Sequence, residues 1–299
     1  MTENNTSMGG GQDRGRRERP WYVTVLRNRR LVIGGLLLLG VLLVAVLAQG
    51  LATHNPLLVR PEIRLTPPNA EHRFGTDNFG RDLYSRTVYG ARISLIVGGM
   101  VALLAALAGT LTGLLGGYYP RMDIILMRIM DGMMAFPGIV LAVGIMAAMG
   151  PHVSNVIVAL AIVQTPRVVR VVRSVVISLR HMQYVEAARC IGVSDRRMLL
   201  RHILPNCISP LIVQGTFIFG LAVLGEASLS FLGVGAPPYI PSWGNILGEA
   251  RVYVRDAPYM MLLPGLALSI TVLGLNLVGD GIRDWLDPMS RVRRLEADH

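Results

Sequence analysis

An all-α membrane fold with six transmembrane spans is what this 299-residue sequence predicts, on three observations. Apolar residues make up 52% of the chain and charged residues 16%, against a usual ~25% charged in soluble domains. Mean hydropathy is +0.48, too high for a chain that coats its surface with charge. Six apolar stretches recur along the chain, each near the length that crosses a hydrocarbon layer of ~30 Å.

The elements follow in order. Leu31–Leu51 is an apolar run broken only by Gln49 and preceded by Arg27, Arg29 and Arg30. It exceeds the ~7–15 residues of a secretory signal core and follows a polar segment of some thirty residues, so it reads as an uncleaved first span. Residues 1–20, with three consecutive glycines and four arginines, carry no apolar period and are expected to be disordered. Further spans are expected at 93–117, 124–149, 153–172, 207–232 and 259–280. Gln164-Thr165-Pro166-Arg167 interrupts the fourth, which either stops there or continues as a helix leaving the membrane early. The chain thus divides into 1–20, a first span with its external loop at 21–92, a core at 93–290, and a tail at 291–299.

Arginine sets the expected orientation. The segments 1–30, 118–123, 166–209 and 281–299 hold 20 of the 29 arginines and the opposite loops hold eight. The positive-inside rule places the richer side, with both termini, in the cytoplasm. Trp243, Tyr253 and Tyr259 fall where an external aromatic belt is expected.

Several function classes are excluded. Every basic residue is arginine, so a P-loop, whose lysine reaches nucleotide phosphates, is absent, and so is Schiff-base chemistry. If ATP drives this protein, another chain binds it. The net charge of +10 comes from clusters flanking apolar stretches, which points to membrane lipid rather than nucleic acid. Cys190 and Cys207 cannot build a disulfide framework, and no Cys/His grouping has zinc spacing, so no metal is expected.

The segment from Pro166 to Pro210 is too long for a turn between spans. Arg167, Arg170 and Arg173 form a basic stripe beside paired valines, suited to a membrane interface. Small residues at Ala187 and Ala188 let another surface approach a helix closely. Gly192 is placed to take the positive φ that ends that helix, and Ser194 or Asp195 to cap a second helix over 195–204. Pro205 is expected to break the chain before the fifth span. The result is a helix–Gly–helix knob near 182–205, with an amphipathic loop lying on the leaflet as the alternative.

Glu186-Ala187-Ala188, then Gly192, then Ile203-Leu204-Pro205-Asn206 resembles the E-A-A loop of prokaryotic ABC importer permeases. Phe74-Gly75-Thr76-Asp77-Asn78-Phe79-Gly80-Arg81-Asp82, Ser85-Arg86 and Gly90-Ala91-Arg92-Ile93-Ser94-Leu95 resemble the dipeptide/oligopeptide branch, as do Leu229-Ser230-Phe231-Leu232-Gly233, Ser242-Trp243-Gly244 and the run Gly279–Pro288. These blocks span about residues 20–290 in the branch's order. Phe79 departs from its usual Leu, and Gln164-Thr165-Pro166-Arg167 replaces its aromatic-Pro pattern.

The resemblance implies a type I ABC importer permease fold in a prokaryotic cytoplasmic membrane. It implies a homologous second permease, two ATP-binding subunits or one fused ATPase holding ATP and Mg, and a substrate-binding protein outside. The chain itself would hold no cofactor and catalyse no reaction. It would move dipeptides or oligopeptides inward, with nickel complexes or another small solute as the alternative cargo. On this resemblance the knob is the coupling helix: Glu186, Ala187 and Ala188 dock on the ATPase, Gly192 and Pro205 shape the bend, and Arg189, Arg196 and Arg197 complement the partner's charge. A different class, an ion-driven transporter, would need a midplane acid or broken half-helices.

Polar groups near the membrane leave alternatives open. Arg128 and Asp131, three residues apart, can pair on one helix face as a structural pair or a conformational lock. Glu226, about 28 Å along the fifth span, is expected near the outer mouth, either wet or in a gate. Asp280 is expected to be tied to Arg283 or to a neighbouring chain. Pro137 should kink the third span, statically or as a hinge, and Met134 with Met127, Met130, Met133, Met146 and Met149 reads as adaptable core or pore lining. The glycines of the second span (98, 99, 109, 113, 116 and 117) read as a close-packing face.

Overall fold

The computed structural model describes residues 28–286; the expected polar N-terminus at 1–20 and the tail at 291–299 lie outside them. The described residues form nine principal helices and no strand, apart from an isolated bridge between Thr76 and Asp82. They are α1 (Arg29–Val46), α2 (Leu83–Tyr118), α3 (Pro120–Met134), α4 (Gly138–Met149), α5 (Val153–Leu179), α6 (Gln183–Cys190), α7 (Leu204–Phe231), α8 (Trp243–Ala250) and α9 (Tyr259–Leu286). Five of the helical stretches are long and apolar enough to cross a membrane, and α3 with α4 makes a sixth if that bent pair is one span.

Helix α2 is the axis of the bundle. Its 36 residues give a rod of about 54 Å, well beyond the ~30 Å core of a bilayer. Asp82 caps its start by accepting the Ser85 amide at 2.8 Å. Its glycines carry a close helix–helix contact. A Cβ at Gly109 would stand 2.4 Å from Cβ of Val168, one at Gly113 2.8 Å from Cβ of Val172, and one at Gly117 2.6 Å from Cβ of Val176. Both sets repeat every four residues, so a flat groove on α2 receives a valine ridge on α5. The close-packing expectation is met at these three positions and at Gly98, where a Cβ would stand 2.6 Å from Phe219 and Val223 of α7.

Of the two readings of the fourth span, the continuing helix is the one observed: α5 runs unbroken to Leu179 with Pro166 buried inside it, while the Thr165 hydroxyl donates to the Ala161 carbonyl. Three expectations are corrected. The third span is not merely kinked: α3 and α4 meet at 93° across Ala135-Phe136-Pro137. Pro137 accounts for this, because its ring clashes with the preceding turn and it offers no N–H to continue the ladder. Pro205 does not break the chain. Residues 195–231 form one continuous helical stretch, and Met198–Ile203 widen into a π turn in which the Leu204 amide reaches back to the Leu199 carbonyl. That wider turn makes room for the proline ring. Trp243 belongs to no aromatic belt: it is buried, and its indole N–H donates to the Thr87 carbonyl at 2.9 Å.

The ion pairs also differ from expectation. Asp131 pairs with Arg170 of α5 at 2.7 Å, and Arg128 is exposed. Arg173 clasps Asp123 with two bonds of 2.5 and 2.6 Å. Arg170 and Arg173 therefore tie α5 to α3 rather than forming a free basic stripe. At the far end of α9 the carboxylate that pairs is Asp284, with Arg30 at 3.4 Å, rather than Asp280 with Arg283. Asn28 caps α1 by accepting the amides of Arg30 and Leu31, and donates to the Gly281 carbonyl.

Gly109→Ala and Gly113→Ala should each lower stability by about 1–3 kcal/mol through overpacking against α5. Gly144→Ala on α4, whose added Cβ meets nothing within 4 Å, should be neutral or gain up to ~1 kcal/mol from helix propensity. Thermal unfolding of the purified chain in detergent measures the difference.

Candidate functional site: a docking knob held by the long helix

The knob begins four residues after α5 ends. Its first helix, α6, closes with a full Schellman arrangement: the Gly192 amide reaches the Arg189 carbonyl at 2.9 Å and the Val193 amide the Ala188 carbonyl at 3.1 Å. Gly192 has φ of +79°, as expected, and an added Cβ there would meet nothing within 4 Å. The demand for glycine at this position is therefore conformational and not steric.

Two tyrosines at the end of α2 hold the knob in place. The Tyr118 hydroxyl donates to Asp195 at 2.7 Å and the Tyr119 hydroxyl donates to its other oxygen at 3.1 Å. The bond to Asp195 also raises the Tyr119 phenol above its ordinary pKa. Val185, Ala188, Met198, Leu199 and Ile203 sink into the core from the knob's inner side. The knob thus sits on the bundle at a fixed angle, held by its own core contacts.

The outer side divides the expected residues. Glu186, Ala187, Arg196 and Arg197 are exposed, as a docking surface needs. Ala188 is buried, so it sets the seat of α6 and offers no surface to a partner. Arg189 lies with its guanidinium 5.2 Å from the Tyr118 ring, where it both braces the knob and stays partly available. Pro205 lies within the helical entry to α7, away from the knob's tip. One feature escaped the sequence reading: Ile191 is 82% exposed and Tyr184 46%. At spacings of three and four, Tyr184, Ala187 and Ile191 share one side of the helix. An apolar tip ringed by charge is the composition of an interface centre with its rim. The hint available beforehand was an isoleucine between an arginine-bearing helix end and its terminating glycine, where apolar exposure has no folding purpose.

The gate and path candidates are placed differently. Glu226 is fully buried, not wet at an outer mouth; it accepts hydrogen bonds from Ser94 at 3.1 Å and Ser230 at 2.9 Å, joining α2 to α7. Met134 and Pro137 lie at the exposed elbow between α3 and α4. An open apolar groove of about 310 Å³ is lined by Leu224, Ala227, Phe231, Leu247 and Leu268, and it includes none of the expected path residues.

At the opposite end of α2 the F-G-T-D-N-F-G-R-D block folds into a buried ion cluster. Asp77 accepts from the Arg81 side chain at 2.6 Å and from Arg86, while Glu249 of α8 accepts from Arg81 at 2.6 Å and Arg86 at 2.7 Å. Asp77 also accepts the amides of Phe79 and Arg81, which fixes the turn that presents it. Two arginines and two carboxylates balance in charge, and Arg86 is 1% exposed. Next to this cluster, burial pushes the Asp82 carboxyl up, but its bonds to Ser85 and His72 outweigh that and hold it below its ordinary value.

Arg86→Met should destabilise the chain by about 3–5 kcal/mol, because it leaves Arg81 alone to balance the buried Asp77 and the half-buried Glu249. Arg86→Lys should recover only part of this, since an ammonium lacks the planar fork that reaches both acids. Comparing the thermal midpoints of the three proteins checks both statements.

Residues 93–292 match the family described as binding-protein-dependent transport system inner membrane component. A chain of Brucella suis biovar 1 (strain 1330), named for a peptide transport system permease, is 51% identical over 268 residues, 90% of each chain. The dipeptide transport system permease protein DppC of Alkalihalophilus pseudofirmus is 44% identical over 273 residues, again 90% of each chain. The glutathione transport system permease protein GsiD of Pectobacterium atrosepticum is 42% identical over 274 residues, 90% of this chain and 91% of the relative. Among solved structures, the MetNI methionine ABC transporter in an inward-facing form aligns with a TM-score of 0.55 at 20% identity, covering 68% of this chain and 97% of the other, which is a likeness of fold. The chain therefore belongs to the inner-membrane components of binding-protein-dependent transport systems, the permease subunits of ABC importers.

Proposed function

We propose that this permease moves dipeptides and oligopeptides into the cell, driven by ATPase subunits that dock on the α6 knob from the cytoplasm. The observation that carries the reading is the rigidly seated knob with an apolar tip, Tyr184, Ala187 and Ile191, left uncovered among the described residues. The relatives' names for peptide, dipeptide and glutathione transport support peptides as cargo. The arginine distribution supports a cytoplasmic knob and cytoplasmic termini. ATP and Mg belong to the ATPase partners, because a chain without lysine cannot form their P-loop.

Force passes through packed elements. α6 follows α5 within four residues, so a pull on the knob tilts α5, and the valine ridge carries that motion into α2. Glu186, Arg196 and Arg197 flank the tip and select the partner's orientation by charge. Gly192 holds the tip's angle, and Ala188 and Arg189 hold its seat. The exposed elbow at Met134–Pro137 supports a path formed together with a homologous second permease, and a binding protein would deliver cargo to the opposite end. Glu226 acts as an internal strut between α2 and α7 on this reading, not as a gate.

Ile191→Asp should weaken ATPase association by about 30-fold or more, the ~2 kcal/mol of a central apolar anchor, while the chain still inserts and folds. Gly192→Val, which forces a β-branched residue into positive φ at a cost of about 1–2 kcal/mol, should leave association detectable but reduce the cargo-stimulated ATPase rate. Co-purification and ATPase assays of reconstituted complexes with a loaded binding protein, alongside uptake of labelled dipeptides into proteoliposomes, test this reading. Full stimulation in both variants, or uptake that follows an ion gradient without ATP, would contradict it.

A further inference from the structure

At the loop end of α2, 17 residues of sequence separate two histidines that the fold brings together. The rings of His54 and His72 lie 4.7 Å apart between centroids, and one donor atom from each of His54, His72 and Glu71 lies within 4.8 Å of the others. Asp82 orients the pair. The His72 Nδ1 is 2.8 Å from Asp82 Oδ1. The His54 Nδ1 is 3.1 Å from the Thr53 hydroxyl, which in turn donates to Asp82 at 3.4 Å. The fold engages both Nδ1 atoms in this relay, which leaves the Nε2 atoms as the ones to offer a metal ion. A histidine whose far nitrogen is held by a carboxylate is the usual support behind a metal-bound imidazole. His72 and Asp82 are buried, so the orientation is set by the fold, whereas Glu71 is exposed and has no bonded partner to give up among the described residues.

We propose that His54, His72 and Glu71 form a binding site for a divalent transition-metal ion of the Zn²⁺ class, with Asp82 as its supporting carboxylate. Two imidazoles and one carboxylate suit Zn²⁺, and water completes the fourth position. Donors on one tetrahedral zinc stand about 3.3–3.5 Å apart, so the limit of 4.8 Å requires an inward movement of roughly an ångström or a little more, within the reach of the exposed Glu71 side chain. The sequence reading expected no metal because His54 and His72 have no short motif spacing; only the fold of the loop onto the start of α2 joins them. The bound ion would staple the segment after α1 to the loop over 66–82 and to the cap of α2, on the end of the molecule away from the knob. This inference is independent of what the permease carries.

The test uses the full-length chain, purified in detergent through a tag free of histidine. Titration with ZnCl₂ by calorimetry, and with Co²⁺ followed by visible absorption, should give one equivalent per chain and a Co²⁺ spectrum of low-coordinate nitrogen–oxygen ligation. Glu71→Gln and His54→Asn should each weaken Zn²⁺ binding by at least about tenfold, and Glu71→Gln, lying at the surface, should leave the metal-free thermal midpoint unchanged. Hydrogen exchange over residues 66–80 should slow with Zn²⁺ in the parent chain and not in Glu71→Gln. Absence of saturable uptake, or equal affinity in the parent and both variants, would overturn the site; binding without slowed exchange would overturn the staple.

Discussion

The seating of the Val168, Val172 and Val176 ridge in the groove of Gly109, Gly113 and Gly117 is the contact on which the rest of this structure depends. It sets the distance between α2 and α5 at a value only glycine permits. Tyr118 and Tyr119 follow the last of these glycines directly, and α5 leads into α6 within four residues. The same packing therefore delivers both halves of the knob's attachment: the helix that carries it and the tyrosines that hold Asp195. Van der Waals contact is the main source of helix association in lipid, where no hydrophobic force separates helix from bilayer. A close backbone crossing between α2 and α5 is consistent with that.

The two ends of α2 are secured by different chemistry. At the knob end the bonds are exposed or half-exposed, and Asp195 is shared between two phenols, an arrangement that can shift without stranding a buried charge. At the loop end Arg81, Arg86, Asp77 and Glu249 are withdrawn from water, and their separation would leave uncompensated charge in the interior. On the proposed function, one end transmits displacement and the other resists it. Trp243, bonded to the Thr87 carbonyl, and Glu226, bonded to Ser94 and Ser230, extend the resistant zone into the bundle.

Much of the fold was legible in the sequence because apolar length and arginine placement survive any packing detail. The six stretches, the turn at Gly192 and the knob between the fourth and fifth spans are all where local chemistry put them. Errors arose where a proline was read alone. Pro205 alone would break a helix, yet the π turn absorbs it; Pro166 sits inside an unbroken α5, as one of its two readings allowed; and Pro137, preceded by an exposed Ala-Phe pair, turns the chain by 93°. The same residue type has three outcomes because the outcome depends on whether neighbouring turns can widen. Long-range polar partners were beyond reach: nothing local to Asp131 names Arg170, and nothing near Arg86 names Glu249. Of the docking surface, the charged flank was readable from the motif. The division between Ala187 outside and Ala188 inside, and the exposure of Ile191, follow from how α6 is rotated on the core.

Cys190 gives the most direct test of the central claim that the knob docks an ATPase. It is exposed at the end of α6, one residue from Ile191, whereas Cys207, the other cysteine of the chain, is buried and serves as an internal control. Maleimide labelling of Cys190 should be timed in inside-out vesicles holding the permease alone and in vesicles holding it with its ATPase subunits. The account predicts ready labelling of the permease alone and strong protection when the ATPases are present. Equal labelling in both, or a Cys190 reached only from the opposite face of the membrane, would contradict it.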